Sequence, residues 1–346
     1  MNTRRRFISS MAAATAMTAA RFSWSKRQPL TRKERVDRAL RGEEVDRPPF
    51  TFWRHYNRSN AQLEAQDHLD LHRHFGTDIV KVMNDFDYPK SKTGKWYELD
   101  TLDSPYPQQL DTLKRVRDGL NGDAYFIDTV YGPYMTAQIL FFAEPQFAGL
   151  KSEDDSRVVN ALRTFQQEHT TEWEQAVEAI TQSTINHIKA SQQLGSSGTL
   201  LSLMNTTSKA GSVENYVRYS RPYDKRIADT LAGTKLSVLH LHFLERPFLA
   251  QFQDFRAPVI NYSVKTSGIP ISEVRGLYSQ AIAGGVDEID FGKLTSQDIR
   301  RQWTEARAQA GNKFIITPGC SLPDESTEAD LTRMMHAVTS PPTRAA

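Results

Sequence analysis

Between Thr31 and Arg41 the apolar residues Val36, Ala39 and Leu40 fall on one face of a 3.6-residue period, and Gly42 follows. This spacing predicts a helix that the glycine ends. Beyond it come eight short apolar or β-branched runs, each a candidate strand. They are Pro49–Trp53, Ile79–Met83, Ala124–Asp128, Thr199–Met204, Leu236–Leu241, Pro258–Tyr262, Val286–Asp290 and Lys313–Thr317. Helical patterns separate most of them, at Ala61–Phe75, Ser152–Gln193, Ile271–Ala283 and Ser296–Ala310, with a last one at Thr327–Val338. Gly284-Gly285 reads as a helix-to-strand turn. Strand and helix alternating eight times predict an α/β fold, a single (β/α)8 TIM-type barrel with extra N-terminal and mid-chain helices. A doubly wound open sheet is the competing arrangement. The stretch 151–195 carries no strand and is expected as two helices packed outside the ring.

The 346 residues include a single cysteine, Cys320, so an intramolecular disulfide and a Cys-rich zinc module are excluded. No run approaches the roughly 18–20 apolar residues of a spanning helix. The first 27 residues differ from the rest: Arg4, Arg5 and Arg6 precede Phe7-Ile8 and a small-residue stretch to Ala20, with no acidic residue. This resembles a twin-arginine export signal. The chain therefore divides into a leader (1–27), one barrel domain (28–338) and a disordered tail (339–346). The expected location is exported, periplasmic in a bacterium, through that machinery; without a working leader it is cytoplasmic. Cleavage at Ala20 removes three arginines and brings the 43 basic and 41 acidic residues close to balance. Nucleic acid is then not an expected partner. The reading allows a homodimer.

In a parallel barrel, chemistry sits where strands end at their carboxyl side. Arg54, His55 and Arg58 follow the first run, and Asn84, Asp85 and Asp87 the second. Tyr131 and Tyr134 follow the third, Asn205 the fourth, His240 and His242 close the fifth, and Cys320 lies past the eighth. P-loop, dinucleotide and nucleophile-elbow patterns are absent. His68 and His72, with Glu64, are expected on a solvated helix face. Tyr216, Tyr219 and Tyr223 among Arg218, Arg221 and Lys225 are expected at a helix-end surface.

Arg38-Ala39-Leu40-Arg41-Gly42-Glu43 followed by Val45-Asp46-Arg47-Pro48-Pro49 resembles the amino-terminal entry of the uroporphyrinogen decarboxylase family. Pro318-Gly319-Cys320-Ser321-Leu322-Pro323-Asp324 resembles its last barrel turn. The resemblance runs from about residue 31 to 338. It implies a (β/α)8 barrel and one of two activities: cofactor-independent decarboxylation of tetrapyrroles, or methyl transfer using zinc and a corrinoid-borne methyl group.

On the decarboxylase side, Arg54 and Arg58 reproduce the family's Arg-x-x-x-Arg, which implies a grip on substrate carboxylates. Asp85 falls at the catalytic aspartate, where a carboxylate stabilises the cation formed by protonating a pyrrole. His55, Tyr134 and Asn205 join the expected substrate-binding set, and His240 and His242 the catalytic one. The substrate would be a polycarboxylated, tetrapyrrole-like small molecule, with no cofactor. Two positions depart from the family: Leu140 stands in place of its tyrosine and Gly319 in place of its histidine.

On the methyltransferase side, the family's His-x-Cys and distant Cys read here as His240-x-His242 and Cys320, a three-ligand set for zinc with an open fourth position. The expectation is that His240 and His242 converge on one ion if His242 lies just past the strand end. Glu245 is a candidate to orient either ring. An exported barrel that binds an anionic ligand without turnover is the third reading.

Overall fold

The computed structural model describes residues 29–242 and 245–340; the leader and most of the tail lie outside them. Twelve α-helices and seven strands are described: α1 (Arg32–Arg41), α2 (Ala61–Phe75), β1 (Ile79–Lys81), α3 (Pro107–Leu120), β2 (Tyr125–Tyr131), α4 (Pro133–Phe142), α5 (Ser156–Glu168), α6 (Thr170–Gln193), β3 (Thr199–Leu203), α7 (Val213–Tyr219), α8 (Arg221–Thr230), β4 (Val238–Leu241), β5 (Val259–Tyr262), α9 (Val264–Ser267), α10 (Ile271–Leu277), β6 (Ala281–Val286), α11 (Ser296–Ala310), β7 (Phe314–Pro318) and α12 (Glu328–Thr339). The strands pair in parallel in strict sequential order, β1 to β7. A doubly wound sheet would reverse direction at a switch point, and this one does not.

Alternation along each strand sorts the two faces. Ile79, Ile127, Leu200, Val238, Val259, Ala281 and Ile315, one from each strand, meet in a single apolar cluster with Val36 of α1. This is the concave interior, and α1 covers its lower end. Outward residues such as Leu201, Leu239, Ile260, Ile282 and Ile316 pack with Ile188 of α6, Ile227 of α8 and Ile299 of α11. Both faces are covered, as a parallel sheet requires. A separate aromatic cluster joins the 88–106 segment to α4, α5 and α6, with Trp96, Tyr134, Phe141 and Trp173 at its centre. The long helical stretch does form two helices.

Two expectations need correction. The run Pro49–Trp53 is not a strand: Phe50 makes one isolated parallel bridge to Ile316. The segment nonetheless touches both edges of the sheet. Thr51 N–H donates to Ile316 O at 3.2 Å, and Asp78 N–H donates to Phe50 O at 2.9 Å. Prolines 48 and 49 lack the amide hydrogens a ladder needs, which limits pairing here. The second correction concerns β6, which spans Ala281–Val286 and so contains Gly284-Gly285 rather than following it. Helix α10 stops at Leu277. A Cβ at Gly285 would come within 2.8 Å of Ala306 Cβ and 2.9 Å of Phe314 Cζ. The glycine pair lets α11 press against the strand; it does not mark its end.

A buried ionic latch ties α1 to the Phe50 segment. Asp78 is fully buried and accepts from Arg35 Nη1 at 2.6 Å, Arg47 Nη1 at 2.5 Å and Phe50 N at 2.9 Å. Arg35 also grips Asp46 with two bonds of 2.7 Å.

Candidate metal centre

From the apolar floor the interior turns polar two residues further along six of the seven strands; on β6 that position is Ala283. Lys81, Thr129, Ser202, His240, Asn261 and Thr317 occupy that level, and all are buried. His240 lies within β4, and His242 follows immediately after its last residue, Leu241. The backbone N–H of His242 still donates to Leu203 O at 2.9 Å, so the chain keeps its extended course through that point. Both side chains thus face the interior. Cys320 arrives from the turn after β7. Its Sγ lies 3.7 Å from His240 Nε2 and 3.3 Å from His242 Nδ1. One ligand atom from each residue lies within 4.8 Å of the other two. Tetrahedral zinc with Zn–S near 2.3 Å and Zn–N near 2.0–2.1 Å places sulfur and nitrogen about 3.5 Å apart. The residues present fit such an ion.

The chemistry of the donors agrees with the geometry. Asn261 donates from Nδ2 to Ala283 O at 2.9 Å, with Pro318 O and Thr317 Oγ1 at 3.3 Å. Two carbonyl acceptors fix which way that amide points. Its Oδ1 therefore faces His240 Nδ1 in a short hydrogen bond, and Nδ1 carries the proton. The lone pair of His240 is left on Nε2, aimed at the cysteine; such a second-layer amide sets the tautomer a metal needs. Burial alone would push the Cys320 thiol up. The adjacent His242 and His240 outweigh it and hold the thiol well below its usual range. Burial would lower His242, and Cys320 reverses that and raises it. Trp53 packs its ring edge-on to His240 at 5.5 Å. Asn261→Leu removes the acceptor of His240 Nδ1–H. Zinc affinity is expected to fall about 10–100-fold, measured by competition with a chromogenic chelator.

The turn that carries Cys320 is built tightly. Gly319 N–H lies 3.2 Å from Val286 O and 3.2 Å from Glu288 Oε2. A Cβ at 319 would come within 2.6 Å of the Ser263 Cα and of Glu288 Oε2. The departure from the family's histidine here thus has a steric cause: no side chain fits. Gly319→Ala is expected to cost about 1–3 kcal/mol in stability and to displace Cys320, read as a lower urea midpoint together with weaker metal uptake. Glu288 is buried, which raises its carboxyl above the usual range.

The remaining expected site residues have local partners of their own. Asp85 is a loop anchor. Its Oδ1 meets His55 Nδ1 at 2.5 Å, and its Oδ2 accepts from Tyr56 N at 2.8 Å and Asn57 N at 2.9 Å. Burial would raise this carboxyl, but His55 and the two amides bring it down to about 2. They pin the 55–57 turn, where Asn57 takes a left-handed φ of 52°. Arg58 pairs with Asp67 at 2.5 Å on the surface, and Arg54 lies 6.0 Å over the Tyr56 ring. Neither guanidinium contacts the His/Cys cluster. Tyr134 belongs to the aromatic cluster, beside Trp173. Asn205 is buried and bonded to Ser220. Glu245 accepts from Ser208 at 3.2 Å on the exposed side.

The expected solvated face of α2 is instead interior: Glu64, His68 and His72 are buried. His68 Nε2 accepts from Met83 N at 3.1 Å, and His72 Nδ1 bonds Thr77 Oγ1 at 2.9 Å. Tyr216 and Tyr219 are likewise buried, so no aromatic stripe faces solvent there. Asn261 and Lys81 received no role from sequence reasoning. An amide at a strand's carboxyl end was the only sign of the first. The second reads as an ordinary charge beside a strand end.

The profile of the uroporphyrinogen decarboxylase (URO-D) family matches residues 86–341. No curated protein sequence matches the chain. Among solved structures, a methyltransferase from Methanosarcina mazei superposes with a TM-score of 0.71 at 15% identity, covering 89% of this chain and 98% of that one. A B12-independent methionine synthase from a Shewanella species, in complex with selenomethionine, gives a TM-score of 0.51 at 12% identity, covering 84% and 91%. At these identities the likeness is one of fold.

Proposed function

Because the chain belongs to the uroporphyrinogen decarboxylase family, we propose that it is a zinc-dependent methyltransferase of that superfamily, acting on a thiol. One observation carries this reading: His240, His242 and Cys320 converge with the His240 tautomer already set by Asn261. Zinc held there would make a thiol at its open position a nucleophile at neutral pH. His240 and His242 would supply nitrogen ligands and Cys320 a thiolate. Asn261 holds the Nδ1 proton of His240, Trp53 limits the tilt of that ring, and Glu288 fixes the turn before Cys320. The two structural neighbours named above are methyl-transfer proteins by description, which agrees with this reading. Within it, residues 49–51 stand in for the eighth stave of the family's barrel, and the twin-arginine-like leader makes the enzyme an exported one.

Decarboxylation has less support. Its expected carboxylate, Asp85, has both oxygens committed to His55 and backbone amides, and Arg58 is spent on Asp67.

The test uses the purified full-length protein. Elemental analysis should find one zinc per chain, and incubation with methylcobalamin and a small thiol, mercaptoacetate or 2-mercaptoethanol, should yield the methyl thioether. A protein that neither holds nor takes up zinc and makes no thioether overturns the proposal. Release of CO2 from uroporphyrinogen by the same sample would restore decarboxylation.

A further inference from the structure

Among the described residues Lys81 is a buried amino group with no ion-pair partner. Only 5% of the residue is exposed. Its Nζ donates to Met83 Sδ at 2.9 Å and sits 5.5 Å from the centre of the Trp53 ring. Among the described residues no carboxylate comes within ion-pair distance of it. The charged groups that face it are Cys320, Asp85 and Asp128. The last two are committed: Asp85 to the 55–57 turn, and Asp128 to Gln109 Nε2 at 2.9 Å and the Thr129 amide at 2.8 Å. Sulfur and an aromatic face offset little of the cost of removing an ammonium from water. Burial accordingly brings Lys81 down to about 7.

Position gives this cation a use. The Trp53 ring that packs on Lys81 also packs on His240, so the two side chains flank one indole. The indole Nε1 is itself buried without a partner. The polar interior level around them is otherwise neutral (Thr129, Ser202, Asn261, Thr317). An anion entering there would meet Lys81 beside the candidate metal ligands and would favour its protonated form.

We propose that Lys81 is the recognition group for a carboxylate on the thiol acceptor, so that the substrate is a small carboxylated thiol and not a neutral one. This rests on the thiol methyl-transfer reading above. The probes are mercaptoacetate and 2-mercaptoethanol, titrated into the full-length protein loaded with cobalt(II), with the cobalt–thiolate absorption as readout. The wild-type protein should bind mercaptoacetate at least about tenfold more tightly. Lys81→Met, which fits beside Met83 and removes a buried unpaired charge, should melt at a higher temperature and bind 2-mercaptoethanol as before. Its preference for mercaptoacetate should vanish. Equal affinities in the wild type, or a preference that survives in Lys81→Met, overturns the assignment. If neither thiol alters the cobalt spectrum, it is the thiol reading that fails. Propionate titrated calorimetrically into metal-free protein then judges Lys81: binding lost in Lys81→Met supports the anion site, and identical heats overturn it.

Discussion

Cys320→Ala is expected to abolish stoichiometric zinc and, with it, methyl transfer. The cysteine is the one anionic member of the His240–His242–Cys320 set, and its sulfur sits between both rings at 3.7 and 3.3 Å. Two neutral imidazoles alone are one short of the three protein ligands of a catalytic zinc site. Losing one whole ligand should therefore cost more than the roughly 10–100-fold of an outer-layer change such as Asn261→Leu. Competition with a chelator should show a fall of at least about 100-fold. Cys320→Ala should keep its fold, because the side chain is small and lies in a turn, not in a packed layer. Circular dichroism and an unchanged melting curve in chelator would establish that. Retention of one tightly held zinc by the variant would remove Cys320 from the centre.

Asp78→Ala should be the most damaging substitution for stability. The carboxylate is fully buried and bonds Arg35, Arg47 and the Phe50 amide. Arg35 is only 6% exposed at its side chain and keeps Asp46 as its remaining partner. Removing one member of a buried ion pair costs about 3–5 kcal/mol, because the other charge stays out of water. The loss also frees the Phe50 segment, which touches both edges of the sheet. Urea unfolding should show the midpoint drop. Arg41→Ala serves as the control, since Arg41 and Glu43 are both largely exposed and such a pair is worth about 0–1 kcal/mol. A comparable drop in both variants would mean the latch carries no special weight.

The sequence made helices legible where capping and periodicity agree. Helices α1 and α11 begin at Thr31 and Thr295, each with a capping box. Helix α2 runs Ala61–Phe75, the range its apolar spacing predicts. Strand β6 was misread because glycine usually signals a turn, and here it serves a close approach by α11, which only the packed molecule reveals. Helices α3, α4, α7 and α8 were passed over, since their apolar positions are mixed with prolines, tyrosines and charges.

That His240, His242 and Cys320 come together was legible because the resemblance set His240-x-His242 and Cys320 at corresponding strand ends, and the three do cluster. Asp85 had equal standing by position, yet its oxygens close a local loop; position along a strand does not tell whether a carboxylate faces the cavity or its own backbone. Lys81 was invisible for a related reason. A lysine at a strand end normally reaches solvent, whereas this one shares the interior face of Ile79, two residues earlier on β1.

The apolar floor under α1 has a kinetic consequence. Ile79, Ile127, Leu200, Val238 and Val259, with Val36 packed over them, fill one end of the concave face with apolar side chains. On the methyl-transfer reading proposed above, a bulky methyl carrier and a small acceptor would both have to approach from the opposite end, which bears the cysteine turn. The smaller one, seated deeper, has to go in first, so steady-state kinetics should display compulsory order, with the carrier acting as the second reactant.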